Sequence, residues 1–276
     1  MINNYRATKN VKGYSQTVNK LRQFFLGKGF HEVHTQDRLS ILAACEDPTT
    51  IATYDYAGET WPLPQTGQMW LEYELLNDPS LPGVFCVSTS YRNEKNPIPG
   101  RHEIIFPMFE FESAGTIDDL RQLEAELCEH LGFGDRRNYP HRTYDEMADY
   151  YEASELTSEH EREMSEEFGP VFFLERFPLH TSPFWNMMKN GKHAHKIDVI
   201  IAGMETIGSA ERSVDPEVMR KQFHTISDGA YAKLLFEHFG RARVERELED
   251  FLSLKFFPRF GGGIGLTRMM RALLKT

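Results

Sequence analysis

The run Phe260-Gly261-Gly262-Gly263-Ile264-Gly265-Leu266-Thr267-Arg268 puts four glycines in five positions ahead of an apolar, helix-like stretch with a basic end. Backbone without Cβ atoms can be approached closely by a ligand or another segment. A helix start behind it offers free N–H groups, and Arg268 adds one guanidinium. The segment is therefore expected to be a turn that cradles a nucleotide phosphate without a Walker lysine. Glycine-rich turns are common in ordinary loops, so the reading needs support from elsewhere in the chain.

That support lies upstream. Val84-Phe85-Cys86-Val87-Ser88 has the unbroken apolar character of a buried strand, and Phe106-Pro107-Met108-Phe109-Glu110-Phe111-Glu112 alternates as a returning strand would. Between them stand Arg92-Asn93-Glu94, a short Pro/Gly loop and Arg101-His102. The pattern predicts a β-hairpin with a basic tip. The side-chain period of two puts Arg92 and Glu94 on one face.

Together these residues carry a resemblance. Arg92-x-Glu94, Arg101-His102, Phe106 and Glu110-x-Glu112 resemble motif 2 of the class II aminoacyl-tRNA synthetases, and Gly261-Gly262-Gly263-x-Gly265-x-x-Arg268 resembles motif 3. Val18-Asn19-Lys20-Leu21-Arg22-Gln23-Phe24-Phe25 followed by Gly29-Phe30-His31-Glu32-Val33-His34-Thr35 is similar to motif 1, the helix and strand of that family's dimer interface. The three occur in family order, at about 14–36, 84–112 and 258–274. The resemblance implies an α/β (α+β) fold: a class II synthetase-type antiparallel β-sheet flanked by helices, as a single catalytic domain over 1–276. It implies ATP bound in a bent form, with adenine on Phe106 and the α-phosphate on Arg92. Arg268, with Arg101 or His102, would take the outer phosphates, and Glu94, Gly263 and Gly265 would complete the ATP site. Arg92 and Arg268 are the implied catalytic residues.

Asp198-Val199-Ile200-Ile201, then Gly203-Met204-Glu205 and Arg212, resembles the aspartyl/asparaginyl group and the ammonia-dependent asparagine synthetases that share its catalytic fold. There the acid matching Glu205 helps hold Mg²⁺ on the ATP phosphates, and Asp198 stands in the place of a second metal-side acid. The arginine matching Arg212 grips a carboxylate or amide of the amino acid. The chemistry is consistent, since magnesium takes carboxylate and phosphate oxygens and a planar carboxylate suits a guanidinium fork. Pro64-Gln65-Thr66-Gly67-Gln68-Met69-Trp70-Leu71-Glu72 resembles the segment that reads the amino acid. Aspartyl enzymes place a lysine where Leu71 stands; asparaginyl enzymes carry a glutamate where Glu72 stands. Gln68 and Glu72 are thus implied contacts to an amide side chain, with Glu46 near the place of the amino-group reader. Departures are also present. Thr267 replaces an acid, Gln36 replaces the motif 1 proline, and residue 105 is isoleucine. The Gly-Gly-Gly-Ile-Gly run and Arg212-Ser213-Val214-Asp215 look more like the stand-alone asparagine synthetases.

The remaining sequence bounds the activity. The 31 basic and 41 acidic side chains give a net charge of −10, which works against neutralising nucleic-acid phosphates. Neither an N-terminal oligonucleotide-binding barrel nor an anticodon-binding domain is expected, so tRNA is an unfavoured partner. Cys45, Cys86 and Cys128 have no metal-like spacing and read as buried or free thiols in a reducing compartment. No leader or membrane span is recognised, so the expected location is cytoplasmic. Leu120, Leu123, Leu127 and Leu131 predict a helix over 117–131, and the acid-rich stretch 154–167 predicts a solvated one. Lys192 to Lys196 is expected to be an exposed loop, and 228–252 a helical insertion.

These readings give an ATP- and Mg²⁺-dependent, AMP-forming ligase. It would adenylate aspartate, asparagine or a close relative and pass the acyl group to ammonia or a small amine, as a homodimer, without charging tRNA. The alternative is an asparaginyl-tRNA synthetase paralogue with a carrier-protein, peptide or tRNA acceptor.

Overall fold

Strand residues of this chain alternate between the two sides of one large sheet, and that alternation organises the molecule. The computed structural model describes residues 10–35, 39–41, 48–98 and 102–274. Its strands are β1 (His31–Glu32), β2 (Thr53–Tyr56), β3 (Glu59–Pro62), β4 (Gly83–Tyr91), β5 (Ile105–Ala114), β6 (His141–Thr143), β7 (Val171–Pro178), β8 (Lys189–Asn190), β9 (His193–Ile201), β10 (Met204–Glu211) and β11 (Arg259–Gly265). Its helices are α1 (Val11–Gly27), α2 (Gln68–Asn77), α3 (Ile117–Leu131), α4 (Tyr144–Tyr150), α5 (Ser158–Phe168), α6 (Pro216–Thr225), α7 (Ala230–Phe239), α8 (Arg241–Leu252) and α9 (Leu266–Leu273).

Among the described residues the main sheet runs β1-β4-β5-β11-β10-β9-β7-β6, with β8 on β9; β2 and β3 form a separate ribbon. Pairing is antiparallel except at the two ends, where β1 lies parallel to β4 and β6 to β7. The sequence-based expectation of a mostly antiparallel sheet flanked by helices therefore holds. One sheet face packs against α1, α3 and α9 around Leu21, Phe25, Leu120, Leu127 and Met269. Phe25 sits 5.1 Å from both Phe109 and Phe111, and Phe85 stacks on Phe109 at 5.0 Å. Each such ring pair adds about 0.5–1.5 kcal/mol beyond burial. The second core, on α2 and α6 to α8, gathers around Trp185, Phe223 and Phe251.

Local signals place the helices. α3 spans the predicted range; Thr116 and Asp119 cap its start reciprocally, and Gly132 at φ 95° ends it in the left-handed form. In α5 Met164 is the buried residue, as a solvated helix requires. The insertion is two helices, because Gly240 at φ 82° breaks the chain between α7 and α8.

Three expectations need correction. The glycine run is not a turn: residues 259–265 form β11, paired with β5 and β10 in mid-sheet. A Cβ on Gly261 would lie 1.6 Å from Glu112 Oε2, one on Gly262 2.6 Å from the Ser209 Cβ, and one on Gly263 2.8 Å from the Met108 methyl carbon. Gly261 and Gly262 are thus demanded by the flanking strands, whereas at Gly263 the neighbour is the flexible end of Met108. Arg92 and Glu94 do not share a strand, since β4 ends at Tyr91. Residues 193–196 open β9 and are not a loop; His193 pairs with Asp145 and His195 with Glu211, each at 2.7 Å.

Candidate active site

On the face of the sheet opposite α1, α3 and α9 lies a cavity of about 400 Å³. Its walls come from the β4–β5 hairpin, the β9–β10 hairpin with Arg212 just beyond it, the passage from β11 into α9, and the segment that enters α2. Alternation selects what reaches it. Phe109 and Phe111 turn toward Phe25, so Met108 and Glu110 turn toward the cavity. Gly263 and Gly265 leave the floor low, and Thr267 and Arg268 of α9 stand at its edge.

Most sequence-predicted residues meet here. Arg92, Glu94, His102, Phe106, Gln68, Glu205, Arg212 and Arg268 all line this one cavity, together with Gly263 and Gly265. The Arg92 guanidinium lies 4.9 Å from the centroid of the Phe106 ring. His102 Nδ1 meets the Glu94 carboxylate at 3.0 Å, which ties the two sides of the hairpin tip together. Arg268 Nη1 donates to the Glu205 carbonyl at 2.7 Å and stands 3.7 Å from its carboxylate. Glu46 and Arg101 lie outside the described residues.

Asp198 and Glu205 converge over Gly208. A Cβ there would be 2.9 Å from Glu205 Oε1 and 3.6 Å from Asp198 Oδ1. Asp198 Oδ2 accepts from Lys196 Nζ at 2.6 Å, whereas Oδ1 is buried with no hydrogen-bond partner. Burial pushes the Asp198 carboxyl up to about 7, Lys196 opposes that rise, and Glu205 adds to it. Among the described residues no group of three or more His, Cys, Asp and Glu side chains could hold a metal. A buried carboxylate oxygen without a partner beside a second acid nevertheless fits magnesium, which uses one or two protein carboxylates plus ligand phosphates.

Glu72 does not line the cavity. It is fully buried, its Oε2 accepting from Arg259 Nη2 at 2.6 Å and its Oε1 from Asn186 Nδ2 at 2.6 Å. Leu71 also lies inside, packed with Leu75, Val84 and Cys86. Both residues sit on α2, whose first turn puts Gln68 at the cavity and whose next turn points into the protein.

Two cavity residues, Glu110 and Lys196, were given no site role from the sequence, although Glu110 was named in the motif 2 resemblance. Glu110 accepts from the Gly67 N–H at 2.8 Å and from the Thr66 and Ser88 hydroxyls; burial raises its carboxyl pKa, and these hydrogen bonds oppose the rise. Its alternation with Phe109 and Phe111 was the available signal. Lys196 reaches the cavity with its ammonium 3.8 Å from the Phe177 ring centroid. Spacing two residues from Asp198 on a strand was the signal there.

The fold and this constellation define a class II synthetase catalytic domain. The family model for class II tRNA synthetases (D, K and N) matches residues 1–276, and the chain belongs to that family. It is 24% identical to an aspartate–tRNA(Asp) ligase of Pyrobaculum aerophilum, over 94% of this chain and 63% of the relative. It is 25% identical to an asparagine–tRNA ligase of Pelotomaculum thermopropionicum, over 82% of this chain and 57% of the relative. The chain thus spans about three fifths of the length of these relatives. Its fold superposes on asparaginyl-tRNA synthetase of Pyrococcus horikoshii complexed with asparaginyl-adenylate, with TM-score 0.77 and 23% identity, covering 96% of this chain and 64% of that one. The Entamoeba histolytica asparaginyl-tRNA synthetase gives 0.78 at 18% identity, covering 96% and 63%.

Proposed function

We propose that this chain adenylates a small amino acid of the aspartate/asparagine type at the expense of ATP, releasing pyrophosphate. The observation that carries the reading is the meeting of Arg92, Phe106, Arg212, Arg268 and Glu205 in one cavity, with the buried Asp198 oxygen behind it. In this reading Phe106 receives the adenine face, and the guanidiniums of Arg92 and Arg268 balance charge on the triphosphate. Arg212 grips the amino acid. The substrate carboxylate attacks the α-phosphorus, the bond to the bridging oxygen breaks, pyrophosphate leaves and an acyl-adenylate remains. Fixed guanidiniums stabilise the charge that spreads over the phosphorus oxygens. Asp198 and Glu205 would hold magnesium, which when bound neutralises phosphate charge. No protein nucleophile enters.

For the second half of the reaction we favour ammonia or a small amine as acceptor, in a cytoplasmic homodimer that works as one catalytic unit. The net charge of −10 supports this over a polyanionic acceptor. A second reading, transfer to tRNA or a carrier protein, is supported by the names of the relatives, which are tRNA ligases.

Exchange of labelled pyrophosphate into ATP, run with each of the twenty amino acids, tests the first half-reaction. Exchange with aspartate or asparagine is the expected result; no exchange with any of them overturns the proposal. AMP release stimulated by ammonium, with no stimulation by total tRNA, is expected for the favoured acceptor; the reverse pattern selects the second reading.

A further inference from the structure

Behind the cavity wall sits a buried group of two arginines and two glutamates. Arg212 is 2% exposed, and Glu72, Glu112 and Arg259 are fully buried. Arg212 donates from Nε and Nη2 to the two oxygens of Glu112, at 3.0 and 3.1 Å, and its Nε stands 3.8 Å from Glu72 Oε1. Arg259 donates to Glu72 Oε2 from Nε and Nη2, at 3.1 and 2.6 Å, and from Nη1 to the Ser213 carbonyl at 3.1 Å. Asn186 fills the remaining Glu72 oxygen. The backbone is tied at the same place: the Arg212 N–H donates to the Arg259 carbonyl at 2.8 Å, and the Ser213 N–H to the Asn186 carbonyl at 2.7 Å. Arg212 lines the cavity; Glu72, Glu112 and Arg259 do not.

We propose that Glu72, Glu112 and Arg259 are positioning residues for Arg212, and that Glu72 takes no part in telling an amide side chain from a carboxylate. The inference rests on the adenylation reading for its kinetic test. Its physical basis is geometric. A guanidinium has a limited set of donors in a rigid fork. Glu112 fixes the Nε–Nη2 edge, so the plane of Arg212 and its orientation toward the cavity are set from behind. Glu72 is charge-balanced by Arg259 and hydrogen-bonded at both oxygens, so it can reach a substrate only by breaking a buried ion pair. Gly261 belongs to the same device, because any Cβ there would strike Glu112.

The experiment compares Glu72→Gln, Arg259→Met and the double variant Glu72→Met with Arg259→Met. The double variant removes both charges together and so avoids an uncompensated buried ion, which guards against simple unfolding. Wild-type exchange tests adenylation itself. Among the variants, kcat/KM for the amino acid should fall between about tenfold and a hundredfold, as a displaced binding group causes. KM for ATP should stay within about twofold, and the Asp-to-Asn ratio in Glu72→Gln should not change. A reversal of that ratio would show that Glu72 reads the side chain. Equal losses for ATP and amino acid would reduce the group to a structural role. If wild-type exchange is absent, a crystal structure of the double variant decides: Arg212 still bidentate on Glu112 in its original plane overturns the part assigned to Glu72 and Arg259, and a rotated Arg212 supports it.

Discussion

On β5, Phe109 and Phe111 face the rings of α1, while Glu110 and Glu112, one residue further along, face the cavity and the buried arginines. The same strand therefore builds two environments that differ in what holds them. The helix side is stabilised by non-directional burial and ring packing, so its cost of substitution follows the volume removed. The cavity side is stabilised by directional pairing of charges that burial would otherwise disfavour, so its cost follows the partner left alone. The first side is packed apolar core, and the second carries the charged candidate site.

The largest expected effect falls on the helix side. Phe111→Ala should lower unfolding free energy by about 3–5 kcal/mol in denaturant titrations, while exchange activity per folded molecule stays near wild type. Activity lost far beyond the unfolded fraction would break the contrast. Next comes Arg92→Ala on the cavity side, which should lower exchange by about 10²–10³-fold. Its melting point should move little, since stacking of Arg92 on Phe106 contributes about 0.5–1 kcal/mol. Wild-type exchange in this variant would remove Arg92 from the mechanism.

A smaller effect should appear with pH. Burial raises the carboxyls of Glu110, Glu112 and Glu124; Glu112 reaches about 7, held back by Arg212 and pushed further by Glu72. Each binds its proton more tightly when folded. Its stabilising contribution is complete below the unfolded value of about 4.3 and is lost as pH rises through the folded value. Glu175 behaves oppositely. Burial alone would raise it, but Arg121 and His141 hold it at about 2, so its contribution is present at neutral pH and lost as pH falls toward 2. The metal-free protein should thus melt highest near pH 5 to 6 and lower at pH 8. The smallest change belongs to Glu124→Gln, which should flatten part of the fall as pH rises above the free carboxylate range, because the amide stands in for the protonated carboxyl. A melting point that rises from pH 6 to 8 contradicts this account.

Regions of strong local patterning were legible in the chain. α3 was given by leucine spacing, and the β4–β5 hairpin by its apolar and alternating strands. Arg92, Phe106, Glu205, Arg212 and Arg268 could be nominated because motif order and residue chemistry agree. The misreadings arose where a residue's reason lies across the sheet. Glycines 261–263 looked like a ligand-hugging turn, yet their space is claimed by Glu112, Ser209 and Met108 of other strands. Lys196 looked exposed because Phe177, the ring its ammonium rests on, lies on another strand. Glu72 was nominated because asparaginyl enzymes carry a glutamate at its place; the structure puts Gln68, one turn earlier, at the cavity and pairs Glu72 with Arg259 instead.

The order of residues along the chain determined that an antiparallel sheet with helices forms, and which arginines and acids were candidates. Periodicity and local chemistry, which operate within a few residues, marked individual helices and strands; the sheet as a whole and the candidate residues followed from the order of the family motifs. Tertiary structure decided which of those charges meet the cavity and which meet one another. A buried carboxylate takes whatever cation folding brings within about 3 Å, and for Glu72 that was Arg259, 187 positions away.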